Sequence, residues 1–278
     1  MIRLGWFSSG RDEAARNLLA TIIKKRDEGV LDVSISFVFC NWEEGEEPGH
    51  ADFADRQKFF DLVRSLDIPL INLSWKRFRA TLKDGGKAEW RAAYGRKMRT
   101  MLYGNPFDIG IMAGYMLWID NDTGVRFDLL NLHPALPGGP KGTWQEVIYK
   151  IIATRPERHG AMVHLYQPDT DQGPVVAFCS FSLLTPEYMR LWADMDQRHG
   201  SGSFDLLSKE EMENEELFLR LRKEGERREL PLLTYTIKMF ADGLVTLCNG
   251  KLYEEGKPLT GAYDLTEAVD RAIASGEF

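Results

Sequence analysis

Asp108-Ile109-Gly110-Ile111-Met112-Ala113 is the stretch that decides how this chain folds. After one opening charge it is apolar without alternation, the pattern of a strand covered on both faces and so of a mostly parallel sheet with helices on each side. The neighbouring segments agree with it. Ile2 to Phe7 reads as a first strand, and Leu31, Val33, Ile35, Phe37 and Phe39 alternate as a second. Ile68 to Leu73 reads as a third, with Pro69 marking an edge strand or a strand start. Phe127 to Leu132 and Ala161 to Tyr166 follow. Between the strands, Ala15, Leu18, Leu19 and Ile22 recur at helical spacing behind a capping Asp12. Phe53, Phe59, Phe60, Val63 and Leu66 predict another helix, and Trp90 to Leu102 a basic one. The fold class is α/β: a doubly wound, mostly parallel sheet with a Rossmann-like N-terminal half.

After Phe181 the character changes. Pro186 to His199 predicts a helix, Gly200 to Ser203 a flexible joint, and Ser208 with Glu211 a helix cap. Pro231 is expected to start or kink a further helix running through Phe240. Asn249-Gly250 between strand-like runs signals a hairpin. The expected organisation is a core over residues 1–181 and a C-terminal helical extension with a β-hairpin over residues 182–278, packed as one structural domain. The charge run Lys209 to Glu229 reads as a solvated helix face.

The chain has 278 residues and a net charge of -7, which removes the usual electrostatic footprint of a nucleic-acid binder. Cys40, Cys179 and Cys248 are far apart and read as buried hydrophobes in a reducing compartment. Met1 to Phe7 reads as too short and too quickly polar for a signal peptide, and no apolar run approaches membrane-spanning length. A soluble cytoplasmic protein is expected.

Four loops, Ser8–Glu13, Gly114–Ile119, Asn131–Gly142 and Gln167–Gly173, follow predicted strands, and ligands of such sheets bind beyond the strands' carboxyl ends. Among them stand a carboxamide, Asn131, an imidazole, His133, and a carboxylate, Asp171. On the residues alone each has a structural alternative: a strand-end cap for Asn131, a turn histidine for His133, an Asx turn for Asp171. His159 and His164 read as structural, and the histidines lack metal-ligand spacing, so no metal is expected.

Asp108 through Met116, then Asn131-Leu132-His133-Pro134-Ala135-Leu136, then His159 to His164 running on to Asp171-Gln172-Gly173-Pro174, and finally Phe240-Ala241-Asp242-Gly243, resemble the folate-dependent formyltransferases, most of all the glycinamide ribonucleotide transformylases. The resemblance implies the formyltransferase fold, transfer of a formyl group from 10-formyltetrahydrofolate to a primary amine, and glycinamide ribonucleotide as that amine. It implies Asn131, His133 and Asp171 as the catalytic set. Met116, Leu117, Trp118 and Ile119, with Asp169 in the loop before Asp171, would hold the pterin. Ser9, Gly10 and Arg11 would face the phosphate of the amine substrate, and Glu226, counted back from Pro231, would bind it as well. It implies no metal and no nucleic-acid or membrane partner, and leaves a homodimer open.

Two departures from the family pattern stand out. The glycine-rich phosphate loop is replaced by Ser9-Gly10-Arg11-Asp12-Glu13, where Arg11 can substitute a charge-assisted contact while Asp12 and Glu13 oppose phosphate if they point inward. The segment Ser182 to Glu216 is also longer than its counterpart. Other acceptors (a sugar amine or methionyl-tRNA) and hydrolysis of the formyl folate are the alternative readings. The chemistry suits the trio: Asn131 can donate to the oxyanion of a tetrahedral intermediate, His133 can add a second donor, and Asp171 can hold the imidazole charged and help relay the amine proton.

Overall fold

The computed structural model describes residues 1–82, 86–167, 173–200 and 207–278. In chain order the first elements are β1 (Ile2–Ser8), α1 (Glu13–Asp27), β2 (Val33–Cys40), α2 (Phe53–Ser65), β3 (Leu70–Asn72), α3 (Trp75–Ala80), α4 (Lys87–Leu102), β4 (Ile109–Met112), α5 (Asn121–Arg126) and β5 (Leu129–His133). There follow α6 (Trp144–Thr154), β6 (Arg158–Leu165), β7 (Val175–Ser182), α7 (Pro186–His199), α8 (Lys209–Glu213) and α9 (Glu216–Ala241). The chain closes with β8 (Val245–Cys248), β9 (Lys251–Glu254), β10 (Lys257–Pro258), β11 (Tyr263–Asp264) and α10 (Thr266–Ser275).

These elements cluster into two compact units. The first comprises Met1–Leu132, His164–Pro174 and Thr234–Thr260; the second comprises His133–Val163, Val175–Leu233 and Gly261–Phe278.

In the first unit the strand order is β5-β4-β1-β2-β3, and each of these pairs is parallel. The expected buried run is there: all four residues of β4 are buried. Glycines make the close strand packing possible. A Cβ on Gly110 would lie 2.3 Å from Leu129 Cδ2, and one on Gly5 would lie 2.7 Å from the Phe37 ring. Phe7 stands at the centre of the aromatic core, edge-on to Phe37 at 5.6 Å and to Tyr115 at 6.2 Å. Pro69 lies just before the short β3, which pairs with β2 alone, as a proline at a sheet edge should. Asp12 caps α1, its Oδ1 accepting from the Ala15 N–H at 2.9 Å. The hairpin β8–β9 turns at Asn249 and Gly250 with φ of 51° and 71°, the left-handed pair that a type I′ turn requires.

In the second unit the order is β11-β7-β6, with β11 parallel to β7. Gly160 of β6 is forced: a Cβ there would lie 2.0 Å from the Cys179 carbonyl oxygen. α6 starts in a capping box between Thr143 and Glu146 and buries Val147, Ile148, Ile151 and Ile152. These side chains join Leu191, Trp192, Met195, Leu217, Phe218 and Leu221 in one cluster. α7 spans the predicted residues, and Ser208 caps α8 in the predicted box with Glu211.

Several expectations are corrected. Pro231 does not start a helix; of the two expectations the start is the one overturned, for the proline lies inside the 26 residues of α9. It removes one N–H from the ladder and leaves the Arg227 carbonyl without its usual donor. The helix is held on both sides of this defect by buried side chains, Leu217, Phe218 and Leu221 before it and Leu232 and Leu233 after it. The charge run is not wholly solvated, for Glu224, Arg228 and Glu229 are buried. Cys40 and Cys179 are buried, and burial pushes each thiol up to about 12, but Cys248 is exposed. The hairpin is followed by β10, β11 and α10, which the sequence reading did not anticipate. Ser201 to Ser203 of the expected joint lie outside the described residues. Among the described residues no helix is long and apolar enough to cross a membrane.

Candidate functional site

In the first unit the carboxyl ends of β1 and β4 present two of the four expected loops. The turn after β1 is fastened to the loop after β4 by two hydrogen bonds: Ser9 N–H donates to the Gly114 carbonyl at 3.0 Å, and Met116 N–H donates to Ser9 Oγ at 2.9 Å. Gly10, at φ 60°, is left-handed, and a Cβ there would meet the Phe59 ring at 2.8 Å. Ser9 thus serves as a fastener.

Arg11 and Asp12 are already engaged. Arg11 Nε pairs with Asp52, from the loop between β2 and α2, while Asp12 spends its carboxylate on the α1 cap. Asp12 therefore faces its own helix, as a helix N-terminus favours.

The loop after β4 alternates. Tyr115 and Ile119 are buried, while Met116 and Trp118 are 41% and 42% exposed. Leu117 is half-buried and packs against the aromatic core. The Tyr166 hydroxyl clamps the far end of this loop, donating to the Ile119 carbonyl at 3.0 Å and accepting from the Ile119 N–H at 3.2 Å. The guanidinium of Arg91 stands 5.7 Å from the Trp118 ring centroid. The result is an apolar shelf of Met116 and Trp118 on a fixed backbone, suited to a flat heterocycle. Trp118 is no core residue.

Asn131, on β5, is half-buried, and its Nδ2 lies 3.1 Å from His164 Nε2. His164 Nδ1 lies 3.0 Å from the Leu165 carbonyl, which can only accept, so the proton sits on Nδ1 and Nε2 accepts from Asn131. The Gly173 N–H also points at Nδ1, but at the longer distance of 3.3 Å. One amide hydrogen of Asn131 is thereby fixed and its rotamer with it. The other is left to donate. The sequence reading took His164 as merely structural; no spacing signal marks it, since its role depends on strand register.

In the second unit His133 is buried, and its Nε2 lies 3.0 Å from the Pro140 carbonyl, so Nε2 carries a proton. His159 is buried against the Phe181 ring at 5.5 Å. Burial first, and the charge of His133 second, push its pKa down to about 4, so it stays neutral near pH 7. Glu226 pairs with Arg222 at 2.6 Å, and Arg222 stacks 4.2 Å over Trp144. Asp169 and Asp171 lie outside the described residues. Among the described residues no group of three metal-ligating side chains is found.

No protein-family model and no curated protein sequence matches the chain. Solved structures do. The chain is similar to a phosphoribosylglycinamide formyltransferase from Coxiella burnetii, with a TM-score of 0.62 at 18% identity over 94% of this chain and 99% of the other. A glycinamide ribonucleotide transformylase from Geobacillus kaustophilus gives 0.59 at 19%, over 87% and 99%. A formyltetrahydrofolate deformylase from Pseudomonas putida KT2440 gives 0.56 at 17%, over 91% of this chain and 70% of that one. At such identities the likeness speaks for the architecture, and the chain has the fold of the folate-dependent formyltransferases, common to transferases and deformylases alike.

Proposed function

We propose that this protein transfers a formyl group from 10-formyltetrahydrofolate to a primary amine, with glycinamide ribonucleotide as the acceptor. The observation that carries the reading is the anchored carboxamide of Asn131, held by His164 with one N–H unspent at the carboxyl end of β5. A donor already oriented before the reaction stabilises a developing oxyanion without reorganisation.

In this reading the neutral amine adds to the formyl carbon. The carbonyl electron pair moves onto oxygen, where Asn131 and His133 donate. The bond from carbon to the folate nitrogen then breaks, and that nitrogen takes a proton relayed from the amine. Asp171 holds the imidazole of His133 charged and helps pass the proton. The Met116 and Trp118 shelf, with Leu117, Ile119 and Asp169, takes the pterin. Arg11 and Glu226 take the acceptor, with Ser9 and Gly10 fixing the turn that carries Arg11. Arg11 keeps two guanidinium nitrogens beyond the one paired with Asp52, which is the form of phosphate contact open to this turn.

A second reading, hydrolysis to formate, is favoured by that same pairing, because a turn occupied by Asp52 and by its own helix cap offers a phosphate less than a glycine-rich loop does. Turnover of a 10-formyl folate, followed spectrophotometrically with and without glycinamide ribonucleotide, separates the two. Turnover only with the ribonucleotide supports the transferase. Turnover without any acceptor replaces it with the hydrolase. Folate binding without turnover in either arm rejects glycinamide ribonucleotide as the acceptor.

A further inference from the structure

The second unit contains a cleft of about 400 Å³ that none of the residues assigned to formyl transfer lines. Its wall is made by the start of β6, the end of β7, the first turn of α7, one face of α9 and one residue of α10. Charge is heavily represented there, and most of it is matched. Arg228 donates to Glu224 and stands 3.2 Å from Asp270. Arg220 stands 2.9 Å from both Glu187 and Glu224.

What remains unmatched can in each case donate. Arg158 donates through Nε and Nη2 to the Ser180 hydroxyl alone, at 3.1 and 2.7 Å, and among the described residues no carboxylate pairs with it. The Tyr188 hydroxyl has no partner although the residue is only 3% exposed. Arg228 Nε is likewise buried without one. Buried polar groups without partners are exceptional in folded proteins, and each calls for an explanation. All three can donate, while the carboxylates of Glu187, Glu224 and Asp270 are each already paired with a guanidinium group. An oxyanion would meet several donors, whereas a cation would have to compete with those guanidinium groups for the carboxylates.

We propose that this cleft is a second ligand site, taking a small molecule through a carboxylate or phosphate group bound by Arg158 and the Tyr188 hydroxyl. The volume exceeds that of a bare oxyanion and leaves room for the body of its carrier. The planar guanidinium of Arg158, half-committed to Ser180, keeps one nitrogen and one edge for the anion.

Inorganic phosphate and acetate, titrated separately into the full chain by calorimetry, test this and tell the two anion classes apart. Three variants accompany the wild type. Arg158→Ala alters an exposed side chain, Tyr188→Phe removes only the unpartnered hydroxyl, and Arg190→Ala changes an exposed arginine elsewhere on α7. Saturable binding of either anion, weakened about tenfold or more by Arg158→Ala, about threefold by Tyr188→Phe and unchanged by Arg190→Ala, supports the site. Circular dichroism confirms that each variant is folded. Absence of saturable binding to the wild type overturns the proposal, and so does binding that Arg158→Ala and Tyr188→Phe leave unaltered.

Discussion

Replacing Glu224 by alanine should destabilise the protein far more than a surface carboxylate would. Its side chain is 7% exposed and faces three guanidinium groups, those of Arg220 at 2.9 Å, Arg227 at 3.2 Å and Arg228. Arg228 is itself buried and stands 4.6 Å over the Phe181 ring, so it cannot turn out to water without giving up packing. Removing one partner of a buried pair typically costs about 3–5 kcal/mol, because the other charge is stranded. Asp270 remains near Arg228, which favours the lower end, about 3 kcal/mol. At roughly 2.1 cal/mol/K per residue the unfolding entropy of this chain is about 0.6 kcal/mol/K, so the melting temperature should fall by about 5 °C. Burial raises the Glu224 pKa, but Arg228, Arg227 and Arg220 outweigh it and the net direction is down. With a depressed folded pKa, this stability is present above the unfolded pKa and lost as pH falls through the folded one. The wild type and Glu224→Ala should therefore converge in acid. Thermal unfolding by circular dichroism measures both effects. The double variant Glu224→Ala with Arg228→Met should be more stable than Glu224→Ala alone, since it no longer strands a charge. A drop under about 1 °C at neutral pH, or a double variant less stable than the single one, would refute the reasoning.

Asn131→Ala, which removes the donor to the buried His164 Nε2, should lower the melting temperature by about 2 to 5 °C and lower kcat by about 10² to 10³, as removal of one oriented oxyanion donor does; thermal unfolding and steady-state kinetics with a 10-formyl folate check it. His159, neutral when folded with a pKa of about 4 against an ordinary 6.5, binds fewer protons folded than unfolded between those values, so stability falls as pH drops through that window. His159→Phe should remove about 2 to 3 kcal/mol of the difference between pH 7 and pH 4.5, read from denaturant unfolding at the two pH values. Gly160→Ala places a Cβ 2.0 Å from a backbone carbonyl of the paired strand, which cannot yield as a side chain would, and should lower soluble yield sharply while Gly225→Ala, in open space on α9, should not.

Much of the architecture was legible because its determinants are local. The apolar run of β4, the Asp12 and Ser208 caps and the Asn249-Gly250 turn each work within a few residues, and each is where the sequence puts it. The α6 helix was equally readable in principle, with Val147, Ile148, Ile151 and Ile152 behind a Thr143–Glu146 box. What escaped depends on partners distant in sequence. Arg11 finds Asp52 across 41 positions, and Asn131 finds His164 across 33. The burial of Glu224 and Arg228 is invisible to a reading that takes charge for exposure, because it depends on residues of other elements, such as Phe181 under Arg228 and Asp270 beside it. Pro231 fails to start a helix for the opposite reason: its local preference is overridden by the packing of the leucines around it.

The three cysteines have a practical consequence. Cys40 belongs to the first unit and Cys179 to the second, both buried, while Cys248 alone is exposed. A thiol reagent added to the native protein should therefore consume one equivalent quickly and the other two only as the backbone opens, since a buried thiol raised to about 12 offers almost no thiolate. With Cys248 replaced by serine, the labelling rate at Cys40 times the opening of the first unit and that at Cys179 times the second. The chain carries its own pair of clocks, one in each unit, and needs no probe added to read them.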